Sequence, residues 1–271
     1  VTIAGALAEA QRVIGRLEAR VLLRHVLQCD EAWLIAHGDD ELTVAQSANY
    51  GLLVARRAAG EPVAYLTGHR EFYGREFVVT PAVLIPRPDT ELLVELALQR
   101  LPADGGEVLD LGAGSGCIGV TIAAERLQCR VTLVDASAEA LDVARGNAHR
   151  HAAANTKLML SDWYTALGDV RFALIVSNPP YIASADAHLQ QGDLRFEPRS
   201  ALASGDDGLN DLRRIVAGAP VHLLAGGWLL CEHGHDQSEA CTVLLREAGF
   251  GDVFSARDLA GIHRVSGGRL L

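Results

Sequence analysis

The chain has 271 residues, 49% apolar and 21% charged, with 24 Lys+Arg against 34 Asp+Glu and a formal net charge of −10. That length holds one or two domains with a full core, and the composition excludes a disordered chain. The acidic balance argues against a protein that grips long nucleic acid through its phosphates, and no apolar run reaches the length of a membrane span.

Residues 1–68 read as helices. Leu17, Val21, Leu22, Val26 and Leu27 recur at helical spacing. Asp30 is placed to cap a short helix that stops at Gly38, and Thr43 another that stops at Gly60. No strand pattern and no catalytic cluster occur here, so a small helical bundle is expected. Residues 69–88, HREFYGREFVVTPAVLIPRP, replace alanine and leucine by aromatic and β-branched residues. Two short strands joined near Thr80-Pro81 are expected, as a hairpin linker. Asp89, Thr90 and Glu91 then offer caps for a helix carrying Leu93, Val94, Ala97 and Leu98, ended by Pro102.

Residues 89–271 read as one further domain, in which the pattern alternates from Glu107 onward. Strand-like runs fall at 107–110, 130–134, 157–160, 172–176 and 227–231, and helical stretches such as 116–126 and 137–151 separate the first four. This alternation predicts an α/β fold, a mostly parallel sheet with helices on both faces. The tail after 248 offers a final pair of strands. The five cysteines are scattered and form no C-x-x-C pair, which fits reduced thiols in a cytoplasmic protein. The start of the chain shows no secretory pattern.

The run Asp110-Leu111-Gly112-Ala113-Gly114-Ser115-Gly116 follows the first of these strands and opens a helix. Gly114, Gly116 and Gly119 fit G-x-G-x-x-G, and Asp135 lies 21 residues beyond Gly114 at the end of the next strand. Glycines let a ligand approach the backbone, and an acid at that spacing holds ribose hydroxyls. Taken alone this says an adenosine cofactor and leaves a nicotinamide dinucleotide open. Asp110 directly before the loop is placed to accept hydrogen bonds or to face a cation. Asp162-Trp163 ends the third strand, where an acid and a ring could hold adenine. The pattern D-x-G-x-G-x-G with acids after successive strands resembles class I, Rossmann-like, S-adenosylmethionine-dependent methyltransferases. Their cofactor carries a sulfonium and no phosphate. In that arrangement the first and fourth strands are neighbours.

The fourth strand ends in IVSNPPYI, residues 175–182. An amide or aromatic amino nitrogen is a poor nucleophile because its lone pair is delocalised, so it must be oriented and its N–H groups need acceptors. Asn178 offers its side-chain oxygen, Pro179 a carbonyl on a backbone of fixed φ, and Tyr181 a ring to pack on a planar group. Such positioning is worth up to about 7–11 kcal/mol of barrier.

N-P-P-Y is shared by methyltransferases of planar nitrogen in adenine, guanine and glutamine. PVAYLTGHREFYG (62–74), VLIPRPDTE (83–91), SNPPYI (177–182), RFEPRSAL (195–202) and LLCEHG (229–234) together closely resemble the HemK/PrmC family, over nearly the whole chain. The resemblance implies transfer of a methyl group from S-adenosyl-L-methionine, leaving S-adenosyl-L-homocysteine. The acceptor would be the glutamine amide in the Gly-Gly-Gln motif of class I peptide-chain release factors. It implies that Gly112, Ala113, Gly114, Ser115 and Gly116 lie along the cofactor, Asp135 holds its ribose, and Asp162 with Trp163 flanks its adenine. Asn178, Pro179, Pro180 and Tyr181 would clamp the glutamine amide, Asn178 touching the cofactor too. Arg87, Glu91 and Glu197 would border the substrate mouth; an Arg87–Glu91 ion pair with a helix cap is the plainer alternative. The helical bundle and hairpin would grip the release factor. A monomer is expected, with no metal, no direct nucleic-acid contact and no membrane. The rival is an amino-methyltransferase of adenine or guanine in nucleic acid, which would bring a basic target-reading domain. Glu232-His233-Gly234-His235-Asp236 offers metal-ligand types, but the two histidines straddle a glycine at an expected turn after the fifth strand and no distant cluster completes a site, so a metal site is not expected. Ser115 and Ser177 have no evident histidine partner, and Cys117 reads as a small packing residue.

Overall fold

The computed structural model describes residues 1–271, which form two compact units, Val1–His69 with Gly192–Phe196, and Arg70–Gln191 with Glu197–Leu271. The first unit holds five helices: α1 (Ile3–Ile14), α2 (Arg16–Leu27), α3 (Glu31–Ala36), α4 (Val44–Ala58) and α5 (Val63–Thr67). Their starts are written in short polar residues. Thr2 and Asp30 accept from backbone N–H groups of α1 and α3, and Thr43 forms a capping box with Gln46 on α4. Ile3, Leu7, Leu22, Leu23, Leu34, Tyr50 and Leu53 make the core, where the Tyr50 hydroxyl donates to the Ala19 carbonyl at 2.9 Å. Leu17, expected on the apolar stripe, is exposed; Ala19, Leu22 and Leu23 carry the buried face of α2. The short segment Gly192–Phe196 joins this unit although its sequence position falls far downstream. Asp193 accepts from Arg57 at 3.0 Å, and Arg195 donates to the Ala59 carbonyl at 2.6 Å.

The hairpin β1 (His69–Phe72) and β2 (Arg75–Val78) turns at Tyr73-Gly74, not near Thr80-Pro81. Both turn residues have positive φ, 53° and 69°, as a two-residue hairpin turn of the primed kind requires. Tyrosine is a poor residue for that conformation. Glu91 compensates, accepting from the Tyr73 N–H at 2.9 Å, and Glu71 accepts from Gly74 at 2.6 Å. A 3₁₀ turn at Pro88–Thr90 then leads into α6 (Glu91–Arg100), whose N-cap Thr90 makes no side-chain cap bond.

The second unit is built on one seven-stranded sheet. Its strands are β3 (Glu107–Leu111), β4 (Arg130–Asp135), β5 (Thr156–Leu160), β6 (Phe172–Ser177), β7 (Leu223–Glu232), β8 (Phe250–Arg257) and β9 (His263–Leu270). Their order is β5-β4-β3-β6-β7-β9-β8, with β9 antiparallel to both neighbours and the other pairs parallel. The helices α7 (Cys117–Glu125), α8 (Ala138–Arg150), α9 (Asn210–His222) and α10 (Ser238–Glu247) connect them. Two apolar layers flank the sheet. One contains Phe72, Phe77, Leu93, Val120, Leu133 and Val176; the other contains Leu111, Val134, Ile175, Ile215, Leu229 and Leu245. β3 and β6 lie side by side, with Leu111 opposite Ser177. The chain runs outward from β3 in one direction and from β6 in the other, so their carboxyl ends form the switch point where such sheets bind ligands. No helix is long and apolar enough to cross a membrane.

Candidate active site

The register Leu111↔Ser177 sends two loops from the same sheet edge: the glycine loop after β3 and Asn178-Pro179-Pro180-Tyr181 after β6. A cavity of about 400 Å³ opens between them. Gly112, Ala113, Gly114, Ser115, Asp135, Asp162, Trp163, Asn178, Pro180 and Arg87 line it. Asp110, Gly116, Pro179, Tyr181, Glu91 and Glu197 are not in its lining.

Backbone bonds shape the glycine loop. Gly112 and Ala113 both donate to the Val134 carbonyl at 2.9 Å, and Gly116 donates to Ala113 at 2.7 Å. Gly112, Gly114 and Gly116 have φ of 72°, 55° and 79°, a region that disfavours side chains. Asp135 ties the loop to the next strand: one carboxylate oxygen accepts from Gly114 at 2.8 Å, the other from Ser137 at 2.9 Å. Each oxygen keeps a lone pair for a further donor. Asp110 lies beneath the loop, fully buried, its Oδ2 accepting from Gly119 at 2.9 Å and its Oδ1 without a partner. Burial pushes this carboxyl up to about 7; the Gly119 N–H opposes that and the Asp135 carboxylate adds to it. Cys117 is buried at the start of α7 and its thiol is pushed up to about 12, so it carries no thiolate for nucleophilic chemistry at neutral pH.

Trp163 holds a left-handed backbone, φ 50°, at the turn after β5. Its carbonyl accepts from the Ser161 hydroxyl at 3.0 Å and its indole N–H donates to Asp211 at 3.3 Å. A Cβ at Gly112 would come within 3.3 Å of this ring, so glycine leaves the indole its place over the loop. Asp162 is exposed and paired with Arg214 at 2.7 Å. The Ser204 hydroxyl donates to Asp211 at 2.7 Å, completing a support for the indole drawn from three segments.

Asn178 donates from Nδ2 to the Thr90 hydroxyl at 3.2 Å, while its Oδ1 is buried without a partner. A buried amide oxygen left unmade costs about 1–3 kcal/mol, the mark of a site that awaits a donor. Tyr181 turns its hydroxyl to Glu232 at 3.2 Å, and burial together with that carboxylate raises the phenol. Arg87 pairs with the buried Glu197, which also accepts from the Ile85 N–H at 3.0 Å. The alternative Arg87–Glu91 ion pair is not formed: Arg87 pairs with Glu197, and Glu91 serves the hairpin turn. His233 is buried against the Gly234 carbonyl and Ser266, each at 2.8 Å. Sequence reasoning missed Thr90, Ser204, Asp211, Arg214 and Glu232. Only Glu232 carried a signal, an acid closing the apolar run WLLC.

The sheet order and this loop define an S-adenosylmethionine-dependent methyltransferase of the Rossmann-like class. Residues 88–196 match the family model described as Methyltransferase small domain, and residues 2–68 the one described as PrmC N-terminal domain. The release factor glutamine methyltransferase of Bordetella pertussis is 57% identical over 95% of this chain and 96% of its own. The chain belongs to the release factor glutamine methyltransferase family. The relative of that name in Escherichia coli K12 is 45% identical over 94% of this chain and 92% of its own. Among solved structures, a Pyrococcus furiosus methyltransferase shares the fold with a TM-score of 0.55 at 18% identity, covering 79% of this chain and 95% of its own. A T. thermophilus 16S rRNA N2 methyltransferase, in complex with AdoMet and guanosine, aligns with a TM-score of 0.55 at 22% identity, over 75% of this chain and 50% of its own.

Proposed function

We propose that this protein methylates the side-chain amide nitrogen of the glutamine in the Gly-Gly-Gln motif of class I peptide-chain release factors. It acts as a cytoplasmic monomer, and S-adenosyl-L-homocysteine is the other product. The observation that carries this reading is Asn178: Nδ2 held by Thr90, Oδ1 buried and unpartnered beside the glycine loop. Family membership supports the same substrate.

The residues present fit the cofactor. Asp135 retains acceptor capacity for ribose hydroxyls, Asp162 and Trp163 suit adenine, and Gly112 to Gly116 leave room along the backbone. Asp110 supports the loop from below. When bound, S-adenosylmethionine supplies a methyl group made electrophilic by its sulfonium.

The chain's own task is to orient a weak nucleophile. Asn178 Oδ1 accepts one amide N–H and the Pro179 carbonyl the other. Positive charge grows on the nitrogen as its lone pair engages, so both bonds strengthen in the transition state. Pro180 narrows the cleft, and Tyr181 stiffens the loop from behind through its bond to Glu232. One N–H proton leaves to solvent after transfer, so no strong base is needed. Arg87, locked by Glu197, borders the substrate. Glu91 holds the hairpin, and the hairpin with the helical unit receives the release factor.

The test is transfer of labelled methyl from S-adenosylmethionine to an intact class I release factor, with DNA and ribosomal RNA in parallel, followed by peptide mass analysis. One methyl on the Gly-Gly-Gln glutamine is expected. Label in nucleic acid alone would overturn the substrate and leave the cofactor site standing.

A further inference from the structure

Glu232 closes β7 with 1% of its surface exposed. The proposed chemistry uses it only as the anchor of Tyr181, yet it sits one register step from the site. Ser177 pairs with Cys231 across β6 and β7, so Asn178 and Glu232 are the next residues on neighbouring strands. The groups facing it come from four directions. Tyr181 donates to its Oε1 at 3.2 Å from the loop after β6. Thr90, buried in the 3₁₀ turn, lies beside the carboxyl with Asp89 next to it; Arg264 approaches from β9 and Cys117 from α7. Oε2 has no partner of full hydrogen-bond geometry, while Thr90 and Tyr181 both hydrogen-bond the carboxyl.

Donor counting then orders the network. A threonine hydroxyl has one proton to give. Thr90 Oγ1 accepts from Asn178 Nδ2, so its own proton is free for the carboxylate. We propose that Glu232 is a positioning residue for the reaction: as a carboxylate it accepts hydrogen bonds from the hydroxyls of Thr90 and Tyr181, which leaves Thr90 Oγ1 an acceptor toward Asn178 and fixes Asn178 with Oδ1 toward the substrate amide. This rests on the glutamine methyltransferase reading above. A protonated Glu232 donates its O–H as a hydrogen bond to Thr90 Oγ1. Thr90 then donates to Asn178, the amide turns over, and an NH₂ meets the substrate's NH₂. Burial raises this carboxyl to about 7, against the pull of Thr90, Tyr181 and Arg264 and with the push of Asp89. Turnover therefore falls as pH drops through that range.

The test compares wild type, Glu232→Gln, Glu232→Asp, Thr90→Val and the Thr90→Val/Glu232→Gln double variant, in kcat, KM for the release factor, cofactor Kd, and kcat against pH. Glutamine is neutral at every pH. Glu232→Gln should lower kcat by about 10- to 100-fold, the scale on which losing a partner that orients a site residue acts. KM and cofactor Kd should stay within about twofold and the acid limb near pH 7 should vanish. Glu232→Asp should restore the limb with part of the rate. The double variant should be no slower than the worse single. Near-normal kcat in Glu232→Gln, an acid limb that persists in it, or multiplicative losses in the double variant would each overturn the proposal. In wild type the Asn178 side-chain amide resonances should titrate near pH 7, and resonances that do not move would refute it even if the variants misfold. Wild type that transfers no methyl to release factor would instead sink the substrate reading, while the resonance test still decides the role of Glu232.

Discussion

Gly119 lies in the first turn of the helix that follows the glycine loop, with its N–H on the buried Asp110 carboxylate at 2.9 Å. Alanine there would set a Cβ 2.8 Å from Asp110 Oδ2, 2.9 Å from Leu133 Cγ and 3.2 Å from Asp110 Cβ. Asp110 and Leu133 are both fully buried, so neither swings away into solvent. Overpacking of this kind costs about 1–3 kcal/mol. Weakening a hydrogen bond to a charged acceptor adds about 1.5–3 kcal/mol. Alanine's better helix propensity returns about 1 kcal/mol. Gly119→Ala should therefore lose about 1.5–5 kcal/mol, read as a lower urea midpoint with an unchanged slope. Gly114→Ala is the contrast. Its Cβ meets nothing within 4 Å, but φ is +55°. It should lose only about 1–2 kcal/mol from the left-handed backbone, and cofactor affinity should fall because Gly114 lines the cavity. A Gly119→Ala protein as stable as wild type, or more stable than Gly114→Ala, would refute the close-packing account.

Asn178→Ala should leave cofactor affinity within a few-fold and cut kcat by about 10²–10³, as removal of one preorganised transition-state contact does; calorimetry and single-turnover assays separate the two. Asp135→Ala frees the Gly114 and Ser137 N–H groups and should weaken cofactor binding by at least about tenfold, so unchanged affinity in calorimetry would remove it from the site. Asp110 binds its proton more tightly folded, about 7, than unfolded, 3.8, so folding gains protons between those values and stability falls as pH rises through that window. From pH 5 to 8 this group should cost on the order of 2–3 kcal/mol, and Asp110→Asn should flatten that part of the urea-midpoint profile. Arg87→Ala strands the buried Glu197 carboxylate and should cost about 1–3 kcal/mol, discounted because Arg87 is partly exposed. Adding Glu197→Gln should recover stability but not turnover on the release factor, and equal recovery of both would remove Arg87 from the substrate mouth.

The layout of the sheet was legible because it depends on local pattern. Apolar runs of five or so residues separated by helical stretches leave a parallel sheet as the economical solution, and the glycine loop and N-P-P-Y end two of those runs. The hairpin turn was misread because Pro81 is the stronger local signal, whereas Tyr73-Gly74 turns only with help from Glu91, a residue 18 positions away. The same reason hid the supports of the site. Trp163 leans on Asp211 and Asp211 on Ser204, Asn178 on Thr90, and Arg87 on Glu197, through separations of 7 to 110 residues. No periodicity encodes such pairs, and each partner read singly is an ordinary cap, linker or surface residue.

Four apolar runs end in a polar residue: Asp110 in β3, Asp135 in β4, Asn178 after β6 and Glu232 in β7. The sequence shows that repetition but not its division of labour. Asp135 and Asn178 line the cavity, whereas Asp110 and Glu232 are buried behind it. Burial depth follows from register: Asp110 sits opposite Val176, two positions short of Asn178, and lies under the loop rather than at its lip. Glu232 is level with Asn178 but buried, with the Tyr181 hydroxyl on its Oε1. A carboxylate buried there is costly, with burial raising it to about 7. A glutamine or a leucine would fill that space at less expense. On the reading proposed above, that cost is offset because the charge fixes which way its donors point, and the Thr90 hydroxyl carries that order to the Asn178 amide.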